Sequence, residues 1–410
     1  MEAENCYTDL QEKVSSSRYA AVKKVKRMKH ILFINGHLNA GGVERSLADI
    51  LKHMDYTKYA VDLLLLEDVG DYASELPPEV HVLFRDIHNT YGSFVSSIRR
   101  CAAAHDWMCL RLRFMFLRYK ILGARALKSA ATVLLGKHRY DCVIGFRTGI
   151  CSDLAAYSVQ ADRKITWWHH GDFNVDRVTY GDMCSKMDSV VVVSQSCKEM
   201  LQEQLPELAD KLVCIPSMLD AEAIRLKAAY SPYTDDMLHI VSVGRLAPEK
   251  HFENIIPAAR ALKDAGIDFT WHVIGEGAER AKLEMLIAEH ALKDHVILEG
   301  SKTNPYPYIR YADLFVHTSY VESQGLTVLE AMALGVPCVV TKSRGPCEFI
   351  EDGINGLLTE RSPESLTEKV LTILNEKKPY QRIKENTRCP EQFSPEQIMK
   401  QIETMIDGEK

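Results

Sequence analysis

The stretch 319–341 reads SYVESQGLTVLEAMALGVPCVVT, and the architecture can be worked out from it in both directions. Glu322 and Glu330 have seven residues between them and lie on either side of Gly325. A glycine at that point lets a loop turn into a helix, because it enters left-handed backbone angles at no steric cost. Gly335-Val336-Pro337 ends the helix, and the apolar run 338–341 follows as a strand. One carboxylate on the loop and a second about two turns into the helix can reach the two ends of a single elongated ligand. Between them, backbone N–H groups at Gly325, Leu326 and Thr327 form an anion site suited to a diphosphate.

The rest of the chain fits that unit into a parallel α/β architecture. Short β-branched runs at 30–35, 60–66, 80–84, 142–145, 165–168 and 189–193 alternate with helix-period segments, the pattern of strands joined by crossover helices. The pattern recurs at 239–244, 269–275, 296–299, 314–318 and 337–341, which predicts two doubly wound α/β domains in tandem. A length of 410 residues agrees with two domains. The polar, turn-rich stretch 227–237 is the expected junction. It divides the chain into a prefix (1–28), a first domain (29–230), a second domain (231–385) and a terminal segment (386–410). Ser394-Pro395-Glu396 opens a last helix with a cap and a proline at the first helical position.

Composition excludes several classes. Apolar residues make up 46% and charged residues 26%, with a net charge of −6, so nothing global calls for nucleic acid. The eleven cysteines show neither a C-x-x-C pair nor zinc spacing, which fits buried thiols in a reducing compartment. The N-terminus begins acidic and lacks a signal-peptide core, and no run of about twenty apolar residues exists to span a membrane. The expectation is a cytoplasmic protein, with peripheral attachment to the inner face of a membrane left open.

Three further stretches carry chemistry. Arg245 and Lys250, in GRLAPEK (244–250), leave a strand end where two cations can hold a diphosphate. Gly275 and Gly277, in GEGAER (275–280), let backbone approach a ligand at a strand end, although packing alone also explains them. Gly41 and Gly42 precede Val43-Glu44-Arg45 and place a helix start at the same edge of the first domain. No Asp-x-Asp suited to a divalent ion on a diphosphate accompanies them, so no metal site is expected.

Together these stretches resemble glycosyltransferase family 4, whose members are retaining enzymes of the GT-B fold. The specific elements are the paired glutamates flanked by E-A-M-A-x-G-x-P-x-V-x-T, the G-R-x-x-x-x-K loop, the Gly-Gly-x-Glu-Arg turn and WWHHGDF (167–173). The resemblance implies two Rossmann-like domains facing a cleft, with the last helix crossing back to the first. It implies a nucleotide-sugar donor, most simply UDP-linked, and a lipid-linked or oligosaccharide acceptor in bacterial surface-polysaccharide synthesis. Arg245 and Lys250 would hold the diphosphate, Glu330 the ribose and Glu322 the sugar ring. His170 would face the sugar, with His169 the alternative one residue away. Glu348 would act as a supporting carboxylate. No cofactor beyond the donor is implied. A nucleotide-sugar epimerase of the same fold, or a non-catalytic binding subunit of a transferase complex, are the competing readings. The chain departs from the family at Ser323-Gln324, where an aromatic residue is common, and at Ser217, where asparagine is common.

The segment 99–139 contains Arg99, Arg100, Arg111, Arg113, Arg118, Lys120, Arg125, Lys128, Lys137 and Arg139 against a single acid, Asp106. Bulky apolar residues alternate with these cations. Such a helix suits an anionic membrane surface, or a helix packed on the sheet with a solvated basic face.

Overall fold

A computed structural model describes residues 27–408 apart from 40, 68, 86–93, 104 and 170–176. Two parallel sheets carry the fold. The first has seven strands: β1 (Lys29–Asn35), β2 (Tyr59–Leu65), β3 (Val80–Phe84), β4 (Arg139–Gly145), β5 (Gln160–Trp168), β6 (Ser189–Val192) and β7 (Leu212–Cys214), in the order β3-β2-β1-β4-β5-β6-β7. The second has six: β8 (Leu238–Val243), β9 (Phe269–Ile274), β10 (Val296–Gly300), β11 (Leu314–His317), β12 (Cys338–Thr341) and β13 (Leu357–Thr359), in the order β10-β9-β8-β11-β12-β13. In each sheet the strand order reverses beside the first strand, at β1/β4 and at β8/β11. Such a switch point opens a crevice at the carboxyl ends of the strands, where ligands bind in open α/β sheets.

The strands are apolar on both faces because helices cover both faces. Successive side chains of β1 divide accordingly. Leu32 and Ile34 enter one core with Val143 and Trp168, while Ile31 and Phe33 enter the other with Cys142 and Trp167. That second core also takes Ile398, Ile402 and Ile406 from the terminal helix Pro395–Asp407. The same helix is tied to the first domain by Lys29 to Asp407 at 2.7 Å and Lys58 to Glu403 at 3.0 Å.

The chain crosses between domains earlier than the polar stretch 227–237. Ile215 and Met218 belong to the first domain, in the core with Ile31 and Phe33, whereas Leu219, Ile224 and Ala228 pack with Val241, Phe315 and Val328 of the second domain. It crosses back between Phe393, in the second domain's core, and Ile398, in the first domain's. The Leu219 N–H donates to the Phe393 carbonyl at 2.8 Å, so the two crossings lie side by side. Apolar burial sets the crossing, which is why a polar, turn-rich composition is a poor guide to it.

Candidate active site

Out of β11, residues 318–324 form a loop that the helix Leu326–Ala333 continues. Gly325 makes the turn with φ +85°, and a Cβ there would lie 2.7 Å from Pro346 Cγ. Both facts require glycine. The loop is laced to the one after β8: Thr318 Oγ1 donates to the Lys250 carbonyl at 2.6 Å and Ser319 Oγ to that of Glu249 at 3.2 Å. His251 takes left-handed angles and stacks on Tyr320 with centroids 3.8 Å apart. These contacts set Lys250 against Glu322.

The Lys250 ammonium pairs with Glu322 Oε1, and His317 Nε2 lies 3.0 Å from the same oxygen. Burial alone would raise this carboxyl. The His317 hydrogen bond and the Lys250 charge outweigh burial and hold Glu322 at about 2, fully ionised.

Glu330, the fifth residue of the helix and little more than one turn in, sits in the opposite environment. Burial pushes its carboxyl up to about 7, only partly countered by a hydrogen bond from Tyr306 Oη at 3.2 Å and by the charge of Arg45. It lines a narrow cavity between the domains, with Arg45, Ser46, Asp49, Met218 and Tyr306. Arg45 comes from the first-domain helix Gly42–His53 and is held by Asp49 at 3.0 Å, with its guanidinium over the Tyr72 ring. One loop-helix unit thus presents a fully charged carboxylate at one end and a carboxyl that titrates near neutral pH at the other.

The remaining residues singled out by sequence fall into three groups. Gly41 and Gly42 open the Gly42–His53 helix, and a Cβ on Gly42 would come 3.6 Å from Leu326 Cδ1, so two helix N-termini meet across the cleft near Thr327. Their dipoles both favour an anion there. Gly275 and Gly277 shape the loop that carries the cations. Added Cβ atoms would lie 1.8 Å from the Gly244 carbonyl oxygen and 2.2 Å from that of Leu246. Arg245 stands apart from the Lys250–Glu322 pair, with an exposed guanidinium on Glu249 at 2.8 Å. His170 lies outside the described residues. His169 Nε2 is 3.0 Å from the Phe146 carbonyl oxygen. Among the described residues no group of three or more candidate metal ligands occurs.

Several residues that shape the cleft had no sequence signal of their own. His317 meets Glu322 through the turn of the loop five residues on, and Tyr306 meets Glu330 through the fold of the second domain. The departures at Ser323, Gln324 and Ser217 turn out to stitch the domains together. Ser323 Oγ donates to the His169 carbonyl, and the Gln324 amide makes two bonds to the Ser217 backbone, at 2.7 and 2.9 Å. The Glu348 carboxylate crosses the cleft to accept from Gln195 N (3.0 Å), Ser196 N (2.7 Å) and Ser196 Oγ (2.6 Å) at the start of the helix Gln195–Gln204.

Residues 231–389 match the family model described as Glycosyl transferases group 1. The match takes in the second sheet and the stretches that carry Lys250, Glu322 and Glu330. The chain is 27% identical over 224 residues to a UDP-N-acetylglucosamine–peptide N-acetylglucosaminyltransferase GtfA subunit of Streptococcus gordonii, covering 54% of this chain but only 42% of that relative. The match therefore spans less than half of that relative's length. A Campylobacter jejuni relative, N-acetylgalactosamine-N,N'-diacetylbacillosaminyl-diphospho-undecaprenol 4-alpha-N-acetylgalactosaminyltransferase, is 25% identical over 343 residues, 83% of this chain and 89% of its own. Among solved structures, HepE of Anabaena in complex with UDP-glucose superposes with a TM-score of 0.68 at 18% identity, covering 93% of this chain and all of that one. The two-sheet arrangement is the GT-B fold of such neighbours.

The raised Glu330 carboxyl has a measurable consequence. The folded protein binds this proton more tightly than the unfolded chain, so its contribution to stability is lost as pH rises from the ordinary 4.5 through about 7. Glu330→Gln keeps the neutral shape. Its Tm should exceed that of the wild type at pH 8, and the gap should close toward pH 4.5 in thermal melts. A variant that melts lower than wild type at pH 8 would show that Glu330 is a structural carboxylate.

Proposed function

We propose that this protein is a retaining, metal-independent glycosyltransferase of family 4. It would move a hexose or N-acetylhexosamine from a UDP-linked donor to a lipid-linked glycan acceptor in bacterial surface-polysaccharide synthesis. The observation that carries this reading is the Lys250–Glu322 pair, at the switch point of the second sheet and one helix away from Glu330 in the interdomain cavity. The complex of HepE with UDP-glucose supports the donor class, and the diphospho-undecaprenol in the Campylobacter relative's name supports the acceptor class.

On this reading the nucleotide lies along the Gly325–Glu330 unit. Glu330 accepts from the ribose hydroxyls, the Leu326 and Thr327 N–H groups face the diphosphate, and Glu322 accepts from the sugar ring. The donor diphosphate draws Lys250 off Glu322, and Arg245 exchanges Glu249 for phosphate. As the C1–O bond to the diphosphate breaks, charge grows on the leaving oxygen, and a fixed cation stabilises that state more than the ground state. The acceptor oxygen bonds C1 from the same face and passes its proton to the departing phosphate, so the configuration is retained without a protein nucleophile. By the family resemblance His170, with His169 the alternative, would be the first-domain group assigned to the sugar.

Incubation with UDP-sugars, with and without acceptor, tests the reaction class. Slow nucleotide release that acceptor accelerates, and a product of unchanged anomeric configuration by NMR, are expected, with activity persisting in EDTA. An inverted C2 centre would mean an epimerase, no turnover a binding subunit, and metal-reversible loss in EDTA would contradict metal independence. Lys250→Ala should lower kcat by at least about tenfold with the fold intact, the loss of about 2–4 kcal/mol typical of such electrostatic contacts.

The acceptor class also calls for contact with a membrane. Among the described residues no helix is long and apolar enough to cross one. The first-domain helix Trp107–Leu122 lies with Leu112, Met115 and Phe116 in the core. Trp107, Phe114 and Ile121 are exposed on the outer face with Arg111 and Arg118 interleaved among them, and Arg113 is buried. Apolar and cationic residues at alternating three- and four-residue spacing form one stripe, which suits insertion at the surface of an anionic bilayer. The double variant Trp107→Ser/Ile121→Ser should lose most co-sedimentation with phosphatidylglycerol vesicles while retaining its Tm. Equal sedimentation of variant and wild type would remove this face from the account.

A further inference from the structure

We propose that His317 is the positioning residue that keeps Glu322 aimed at the donor sugar once Lys250 has turned to the diphosphate. The proposal rests on the assignment of Glu322 and Lys250 given above and extends it to a residue outside every motif.

His317 is the last residue of β11, an interior strand paired with β8 on one side and β12 on the other, and it is 4% exposed. Its backbone and ring are therefore fixed before any ligand arrives. Nε2 lies 3.0 Å from Glu322 Oε1, and Nδ1 has no hydrogen-bond partner among the described residues although it is buried. With Nε2–H facing a carboxylate, Nδ1 is the bare nitrogen of the ring. A histidine kept only for packing satisfies both nitrogens or is replaced by an apolar residue, since a buried acceptor without a partner is costly. Here the one polar contact of the ring is the Glu322 carboxylate. The ring and Lys250 together line a small pocket with Val243, Phe252 and Ser319.

The two donors on Glu322 are not equivalent. Both converge on Oε1, which leaves Oε2 able to accept from a sugar hydroxyl without displacing either. Lys250 is mobile, a cation on a long flexible stem, and a diphosphate competes for it directly. His317 cannot follow, because its ring is held by the strand. When Lys250 is drawn away, Glu322 would otherwise keep no fixed contact, and its flexible side chain would sample orientations that do not meet the sugar. A donor on a rigid strand preserves the orientation without consuming the negative charge. Geometry held in this way counts in the reaction itself, because small displacements of a positioning group lower the rate steeply.

The test compares His317→Leu with His317→Gln in the full-length protein, each measured for sugar-transfer kcat, free UDP affinity and Tm. Leucine removes the donor, and glutamine restores an N–H of similar reach. The expected result is a loss of about tenfold or more in kcat for His317→Leu with UDP affinity unchanged, and recovery of most of that loss in His317→Gln. Wild-type kcat in His317→Leu, with Glu322→Gln impaired, would overturn the positioning role while leaving the site assignment standing. Equal losses in both His317 variants, with UDP affinity and Tm falling together, would show a structural histidine and overturn it as well. Wild-type kcat in Glu322→Gln would instead defeat the site assignment on which the inference rests.

Discussion

A carboxylate and an ammonium removed from water must neutralise one another until a ligand replaces each of them. In this protein that pair is Glu322 and Lys250, and the surrounding loops are arranged to bring them together. The hydrogen bonds from Thr318 and Ser319 to the carbonyls of Lys250 and Glu249 fix the loop after β11 to the loop after β8. Gly275 and Gly277 let a third loop lie against the second with no side chain between them. Separating a buried pair by removing one partner is far more costly than exchanging both partners for new ones. A ligand that supplies an anion to Lys250 and hydroxyls to Glu322 at once therefore fits the site better than a ligand that supplies only one. A nucleotide-sugar has both, joined through its anomeric carbon.

The domain interface uses the same chemistry at lower strength. Glu348 of the second domain satisfies N–H groups at the start of a first-domain helix, and Gln324 pairs with the Ser217 backbone beside the first crossing. Adjacent residues on the Gly42–His53 helix take different directions. Glu44 is buried near His37 and Arg147 in the first domain, and Arg45 lines the cavity shared with Glu330. The helix start thus reports to both sides of the cleft. Tyr306, whose hydroxyl burial keeps protonated, completes the connection from the second domain.

Much of this was legible in the chain because it is local. Eleven of the strands announce themselves as β-branched runs between helical segments, and Gly325 marks the start of its helix through a backbone angle only glycine takes easily. Two strands did not. β7 and β13 are three residues each, at sheet edges, too short for any periodicity and defined only by the neighbour they pair with. The site divides in the same way. Glu322 and Glu330 were visible because one loop and one helix fix their spacing along the chain, and Lys250 because it stands in a short run directly after a strand. His317, Tyr306 and the interdomain bonds of Ser323, Gln324 and Glu348 depend on strand order and on how two domains meet. Arg245 shows the limit from the other side: the sequence groups it with Lys250, yet its exposed side chain lies on Glu249 and apart from the Lys250–Glu322 pair.

The central claim is that the two glutamates serve opposite ends of one ligand, and calorimetric titration of free UDP into Glu330→Gln and Glu322→Gln tests it most directly. If Glu330 holds the ribose, its amide variant loses charge-assisted bonds of about 1.5–3 kcal/mol each, and UDP affinity falls. Glu322 meets only the sugar, so its variant should bind free UDP about as well as the wild type while failing to turn over the donor. Equal losses of UDP affinity in the two variants, or no loss in Glu330→Gln, would contradict the division of the site into a ribose end and a sugar end.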